Sequence, residues 1–322
     1  MSIILIISKD FDPDVDSVID HLHFLGKQII RITPTTDFNF SYLNILSKRV
    51  GIDIELIVNN SHFKLSDIYS VWIRNGILPN LFGEYFKIPL DNIDKEIETF
   101  LNREWYILKE YIFHLIQIKK HVGNFFTGFP NKLMQLEYAQ ECGLSIPNTS
   151  VVTEKEVLKK YTKNKKYITK PIQEVFSYTE KKAYYVSRTG YINIPEPSIS
   201  GLLFPTLIQK KIEKKHEIRT FFIDNEFYSC AIFSKENKNN SIDYRAGDIT
   251  DIRSVPFRLP EDIRNKLCIL MKRMQIDCGG IDMIYSTSNE FVFLEVNPVG
   301  IFQNVSELCN YNLEMKIAEK LI

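Results

Sequence analysis

The sequence predicts a mixed α/β and α+β chain that opens on a small α/β domain. Three observations carry this. The opening residues read strand, helix, strand. The pattern breaks between Asn124 and Pro130 and restarts as helix, turn and strand. The last third runs in β-hairpins and ends in GGIDMIYSTSNEFVFLEVNP. A βαβ opening belongs to α/β domains, and runs of hairpins belong to α+β ones. The break between Asn124 and Pro130 is the expected domain boundary.

In the first segment, SIILIIS, DPDVDSVIDHLHFLGK and QIIRIT form the βαβ unit. Asp14 or Asp16 is placed to serve the helix start, and Gly26 its end. No GxGxxG follows the first strand, which argues against a dinucleotide site there. DIYSVWIRNG, residues 67–76, reads as a further strand that ends in Arg74 and Asn75. Such an arginine is commonly a surface residue, although the carboxyl ends of an open α/β sheet face the ligand crevice. From Asp91 to His121 apolar and aromatic residues recur at helical spacing and predict a core helix.

Composition narrows the function classes. The 322 residues allow two or three domains, and 44% apolar with 25% charged residues is ordinary for a soluble protein. A formal net charge of zero gives no global basic field for nucleic acid. MSIILIIS gives way at once to Lys9 and Asp10, too soon for a signal or a membrane span. Cys142, Cys230, Cys268, Cys278 and Cys309 are scattered without CxxC spacing, as expected for buried thiols in a reducing cytoplasm. There is no HExxH, and His21 and His23 do not share a helical face, so zinc is not expected.

The middle segment is rich in lysine: KKYTKNKKYITKPIQ, residues 159–173. Most of these read as a solvated face. Lys170 stands apart, because it ends a short strand and Pro171 holds it extended, where it can deliver a point charge to a phosphate. LIQKKI then reads as a strand emptying into a polar hinge, and EIRTFFI with EFYSCAIFS as a hairpin about Asp224–Asn225. Glu217 and Arg219 share one face of that hairpin. They either pair with each other or border a phosphate site, where Arg219 would face a developing oxyanion. A charged loop follows and leads into Asp243, Tyr244 and Arg245. That DxR either engages a carboxylate or peptide, or protects a strand edge.

The final hairpin carries the sharpest signal. Glu295 and Asn297, two apart on a strand, point to the same face before Pro298 ends the ladder. Pairing Ser286 with Phe291 across STSNE sets Asp282 opposite Glu295. Ile281, Met283, Tyr285, Val292, Leu294 and Val296 then lie on the other face. At roughly 5 Å and an effective dielectric near 20, the carboxylates repel by about 3 kcal/mol. A salt bridge with a turn-capping Asn297 is one resolution, and a buried arginine is another. A third is magnesium, because two carboxylates and an amide oxygen form a hard, oxygen-only donor set.

Taken in order, the strand-end lysine before proline, the QKKI hinge, the EIR strand, Asp282 and Glu295/Asn297 resemble an ATP-grasp enzyme over roughly residues 125–322. NKLMQLEYAQECGLSIPNT, YITKPI, IFSKENKNNSIDYR and NPVGIFQNVSELCNYNLEMKIAEKL resemble the graspetide (microviridin-type) peptide ligases, nearest to the grasp-with-spasm maturases, and VWIRNG fits the same group. The resemblance implies an ATP-grasp fold in which ATP lies between two α+β subdomains, 125–206 and 207–322, behind the small α/β domain 1–124. It implies that Lys132 and Lys170 contact the ATP phosphates, that Gln209, Lys210 and Ile212 line the adenine hinge, and that Glu217 holds the ribose. Asp282, Glu295 and Asn297 would ligate Mg2+, and Arg219 would steady the transferred phosphoryl group. Asp243 and Arg245 are candidates for engaging the acidic side chain of a precursor peptide. The implied partner is a ribosomal precursor peptide of leader and core, acted on by a cytoplasmic homodimer. QEVFSYTEKKAYYVS, residues 173–187, departs from the family's glycine-rich phosphate lid. Ligation of separate amino acids or peptides, and a nucleotide-binding regulatory module without turnover, are the competing readings.

Overall fold

The computed structural model describes residues 2–45, 52–79, 94–125, 131–162, 165–173, 177–180, 183–187, 189–192, 201–234 and 252–322. β1 (Ile3–Ser8) is buried throughout, as its unbroken apolar run requires of a strand covered on both faces. α1 (Pro13–Phe24) starts with proline, which has no N–H to leave unpaired in the first turn. It is followed by Gly26 at φ +66°, the left-handed position that closes many helices. β2 (Gln28–Ile32) returns parallel to β1.

A three-stranded antiparallel sheet comes next: β3 (Phe38–Ile45), β4 (Ile52–Val58) and β5 (Ser61–Lys64). Asn59 and Asn60, both at positive φ, join the last two strands in the tight turn that suits a two-residue hairpin. The sequence reading does not contain this sheet. β6 (Ile68–Arg74) and β7 (Lys120–Val122) complete the first sheet in the order β2-β1-β6-β7. Between them lies α2 (Lys95–Gln117). Trp105, Ile112, Phe113, Leu115 and Ile116 reach the core, while Ile97, Phe100 and Ile107 are exposed. The expected core helix is thus a core helix mainly in its second half, and residues 91–93 of that expectation lie outside the described ones.

The middle of the chain supplies α3 (Lys132–Glu141), β8 (Thr149–Glu154), α4 (Lys155–Lys159) and β9 (Tyr167–Thr169). After these come a hairpin of β10 (Ser177–Glu180) with β11 (Ala183–Val186), then β12 (Gly190–Tyr191) and β13 (Leu202–Lys210). The central sheet has the order β12-β9-β13-β8. The glycine-free stretch is therefore a two-stranded hairpin in its described part.

The last sheet is formed by β14 (Lys214–Ile223), β15 (Glu226–Ser234), β16 (Ile252–Phe257), β17 (Cys278–Ser286) and β18 (Phe291–Asn297), in the order β16-β15-β14-β17-β18. Asp224 and Asn225, both at positive φ, turn β14 into β15 where the sequence predicts it. α5 (Glu261–Arg273), α6 (Gln303–Cys309) and α7 (Leu313–Leu321) complete the chain. The two faces of this sheet differ. On one, Ile218, Phe222, Ile281, Met283 and Phe293 pack with Leu267, Leu270 and Met271 of α5 and Leu136 of α3. On the other, Phe221, Ile223, Cys230 and Cys278 join Ile4 and Ile6 of β1 and the apolar sides of α1, α6 and α7. Alternation along β14 places Glu217 and Arg219 on this second face, beyond the packed end. That uncovered end is the candidate site.

Candidate active site

The hairpin register places Asp282 directly opposite Glu295, as expected, but by a different route. Ser286 does not pair with Phe291; its N–H donates to the Glu290 carbonyl at 2.9 Å, and Tyr285 faces Phe291. The turn is one residue tighter than predicted. A bulge between Met283 and Asp282 makes Leu294 the extra residue and restores the acidic pair. The alternation flips there, so Phe293 rather than Leu294 is buried beside Met283 and Ile281.

β18 is an edge strand, and its outward backbone groups are met by side chains and loops. The Gln135 amide takes both polar groups of Val296: Oε1 accepts its N–H at 2.8 Å, and Nε2 donates to its carbonyl at 2.9 Å. The Ser145 carbonyl accepts the Phe293 N–H at 2.8 Å. Gln135 lies one helical turn after Lys132, so the helix that clamps Val296 also delivers Lys132 to its neighbour Glu295.

Glu295 is where three parts of the chain meet. Lys132, first residue of α3, places Nζ at 3.1 Å from Oε2, and Lys170, after β9, places its own at 3.7 Å. Asp282 accepts at both oxygens from Nη1 of Arg219, each at 2.8 Å, and Arg219 is its cross-strand partner on β14. The resolution by basic residues thus holds in this state. Three cationic side chains meet two carboxylates among the described residues. The side chains keep contact with solvent: 20% of Asp282, 24% of Glu295 and 21% of Lys132 are exposed. Burial pushes the Lys170 ammonium below its ordinary pKa; Glu295 opposes that shift and Lys132 adds to it.

Asn297 lies on the same face and also caps the turn, its Oδ1 accepting from Val299 N–H at 3.0 Å and Gly300 N–H at 3.3 Å. The turn folds back onto Gly279 and Gly280. A Cβ on Gly300 would fall 2.2 Å from the Gly280 nitrogen, which explains the glycines in GGIDM and NPVG.

Magnesium fits this donor set in chemistry. Asp282, Glu295 and Asn297 offer oxygen alone, share a face, and remain accessible. Among the described residues no group of three or more His, Cys, Asp or Glu forms a cage.

Of the other expected residues, Glu217 stands on β14, and Gln209 to Ile212 lie at and just after the end of β13. Glu217 lies on the face of Arg219 and is paired with Lys214. Gln209 is buried, its Nε2 donating to Thr149 Oγ1 at 3.0 Å, so its side chain is spent within the central sheet. Lys210 is exposed and Ile212 half-buried, on the connection from the central to the last sheet. Asp243 and Arg245 lie outside the described residues.

A second charge cluster borders the site. Arg74, at the end of β6, is 4% exposed. Its Nε donates to Asp12 at 3.0 Å and Nη2 to Asp14, while Nη1 donates to the Val299 carbonyl at 2.5 Å and the Gly300 carbonyl at 3.1 Å. Asp14 and Asp16 are the acidic residues in the first turn of α1, as expected, but the Asp14 oxygens are turned toward a second helix. They accept the N–H groups of Phe302 at 3.1 Å and Gln303 at 3.3 Å, at the start of α6, whose first N–H groups have no partner within the helix.

No protein-family model matches the sequence, and no curated protein matches it. Solved structures do. An RiPP-associated ATP-grasp ligase from Chryseobacterium gregarium, in complex with ADP and a leader and core peptide, matches with a TM-score of 0.77 and 24% identity. The match covers 100% of this chain and 95% of that one. The chain has the ATP-grasp fold. The macrocyclase MdnC from Microcystis aeruginosa MRC, bound with precursor peptide MdnA, matches at 0.73 and 20% identity over 100% of this chain and 99% of its own. The ATP-grasp ligase PsnB, complexed with minimal precursor, Mg and ADP, matches at 0.67 and 15% over 99% and 96%. At these identities the likeness is one of fold, and it extends over the whole chain.

Proposed function

We propose that this chain is an ATP-dependent peptide ligase that closes rings within a ribosomally made precursor peptide. The observation that carries the reading is the convergence on Glu295: Lys132, Lys170 and the Asp282–Arg219 pair meet there, at an accessible sheet end between the central and last sheets. Among the described residues cationic groups outnumber carboxylates there, which suits a polyphosphate. Lys132 and Lys170 would hold its phosphate oxygens as point charges. Asp282, Glu295 and Asn297 would hold magnesium, which supplies further neutralisation of phosphate charge when bound. Glu217 would take the ribose, and the stretch from Gln209 to Ile212, Lys210 included, would border the base.

In the proposed reaction an Asp or Glu side chain of the peptide attacks the γ-phosphorus, and the bond to the β,γ-bridging oxygen breaks to release ADP. A Ser or Thr hydroxyl, or a Lys amine, of the same peptide then attacks the acyl carbon. Phosphate leaves, the attacking group loses its proton, and an ω-ester or ω-amide closes. Each ring costs one ATP and removes one water from the peptide. No protein nucleophile is needed, because positioning and charge neutralisation supply the catalysis, as in other phosphoryl transfers. Arg219 would meet the developing phosphoryl charge, and Asp243 with Arg245 would engage the peptide carboxylate. A leader-plus-core peptide and a cytoplasmic homodimer complete the proposal.

The test is mass spectrometry of a precursor peptide, carrying Thr, Ser or Lys among Asp and Glu, after incubation with protein, ATP and magnesium. Loss of whole waters is expected. A mass gain would assign intermolecular ligation instead, and nucleotide binding without peptide-stimulated hydrolysis would assign a regulatory module.

A further inference from the structure

Arg74 and Asp14 contact neither the candidate nucleotide site nor solvent to any extent, yet they spend much of their hydrogen-bonding capacity on one short loop. Arg74 grips the carbonyls of Val299 and Gly300, and Asp14 grips the N–H groups of Phe302 and Gln303. These partners lie more than 220 residues away in sequence, on the turn that directly continues the strand carrying Glu295 and Asn297. The same turn is pressed against Gly279 and Gly280, and Arg219 Nη2 lies 3.4 Å from the Cβ position of Gly280. Asn297 closes the turn through its side-chain oxygen. A shift of residues 299–303 therefore bears on Asn297, on the packing of Gly280 and on the guanidinium of Arg219.

We infer that Arg74 and Asp14 form a positioning latch, by which the amino-terminal sheet fixes the strand end that presents Glu295 and Asn297 to magnesium and phosphate. This rests on the proposed function for its purpose but not for its geometry. The sequence pattern agrees: VWIRNG places an arginine at the crevice end of a parallel strand, and that arginine holds the protein's own backbone. Asp12 belongs to the same cluster but meets only Arg74 and not the loop, so its loss should loosen the latch less than loss of the other two.

Two readouts test the latch on the full-length protein carrying Arg74→Lys, Asp14→Asn or Asp12→Asn. The first is amide hydrogen exchange of the ligand-free protein. Arg74→Lys and Asp14→Asn should speed exchange at Gly300, Phe302 and Gln303 by tenfold or more, with β1 still protected. The second is the magnesium concentration that half-saturates ATP binding, which should rise at least fivefold in both. Asp12→Asn should shift both readouts in the same direction by a clearly smaller factor. Lower melting temperatures with neither shift, or equal shifts from Asp12→Asn, would overturn the latch. Should Arg74→Lys not fold, Asp14→Asn carries the same exchange readout alone. If the wild-type protein takes up no magnesium-dependent ATP, the proposed function fails, and exchange at residues 299–303 decides the latch by itself.

Discussion

Two charge clusters flank the turn at Pro298, and they are built to opposite ends. In the first, Arg74, Asp12 and Asp14 are closed off, with 4%, 13% and 2% of their side chains exposed, and the remaining capacity is spent on backbone. In the second, Asp282, Glu295 and Lys132 keep 20%, 24% and 21% of their side chains exposed, Lys170 and Arg219 are mostly covered beneath them, and cations outnumber carboxylates among the described residues. Breaking a buried pair costs about 3–5 kcal/mol, whereas a partly exposed one is worth about 1 kcal/mol or less. The first cluster is therefore paid into stability and geometry. The second contributes little to either and is left able to exchange partners, which is what a site for anion and metal requires.

The largest effect that sharpens this contrast is on turnover. Asp282→Asn or Glu295→Gln should lower the rate of ADP release in the presence of peptide by about 100-fold or more, the scale seen when a positioned charge is removed. Either should lower stability by only about 1 kcal/mol, since both side chains are partly solvated. Unaltered turnover in both variants would erase the distinction between the clusters. Next comes Arg219→Ala. Its kcat should fall by about tenfold to 100-fold with nucleotide affinity changed less than about threefold, because its charge matters most as phosphoryl charge develops. A defect confined to affinity would move Arg219 to ground-state binding.

The smallest effect is a pH dependence. Burial holds Lys170 below its ordinary pKa in the ligand-free protein, and a bound phosphate would raise it again. Nucleotide binding should then take up a proton at pH values between the free and bound pKa, and affinity should fall as pH rises through that window. Calorimetry in buffers of different ionisation enthalpy reads the uptake directly, and Lys170→Met should remove it. Stability runs the other way in the free protein: the unfolded chain holds the Lys170 proton more tightly, so stability should rise with pH over the window below the ordinary lysine pKa.

Much of the open cluster was legible in the sequence because its members sit on local patterns. Lys170 ends a strand before proline, and Glu295 and Asn297 alternate on a strand that pairs with its neighbour across a short turn. The bulge at Leu294 was not legible, since side-chain alternation alone does not show where one extra residue is absorbed. The sealed cluster was legible only in part. Arg74 is conspicuous at its strand end, but its carbonyl partners are fixed by how two sheets pack, not by any local motif. Gln135 was missed for the same reason: on an ordinary helix, nothing local marks the amide that clamps Val296. The β3–β5 sheet did leave a signal, the alternation in FNFSYLNI and IDIELIV with an Asn-Asn turn after the second.

The central claim is that the open cluster binds nucleotide together with a divalent ion. Calorimetric titration of ATP, with magnesium and with a chelator, into the wild-type protein and the Asp282→Asn/Glu295→Gln double variant tests it most directly. The account predicts clearly tighter binding with magnesium for the wild type, and equal binding in both conditions for the variant, which keeps Lys132, Lys170 and Arg219. Wild-type binding indifferent to magnesium, or a variant that keeps the full magnesium response, would contradict it.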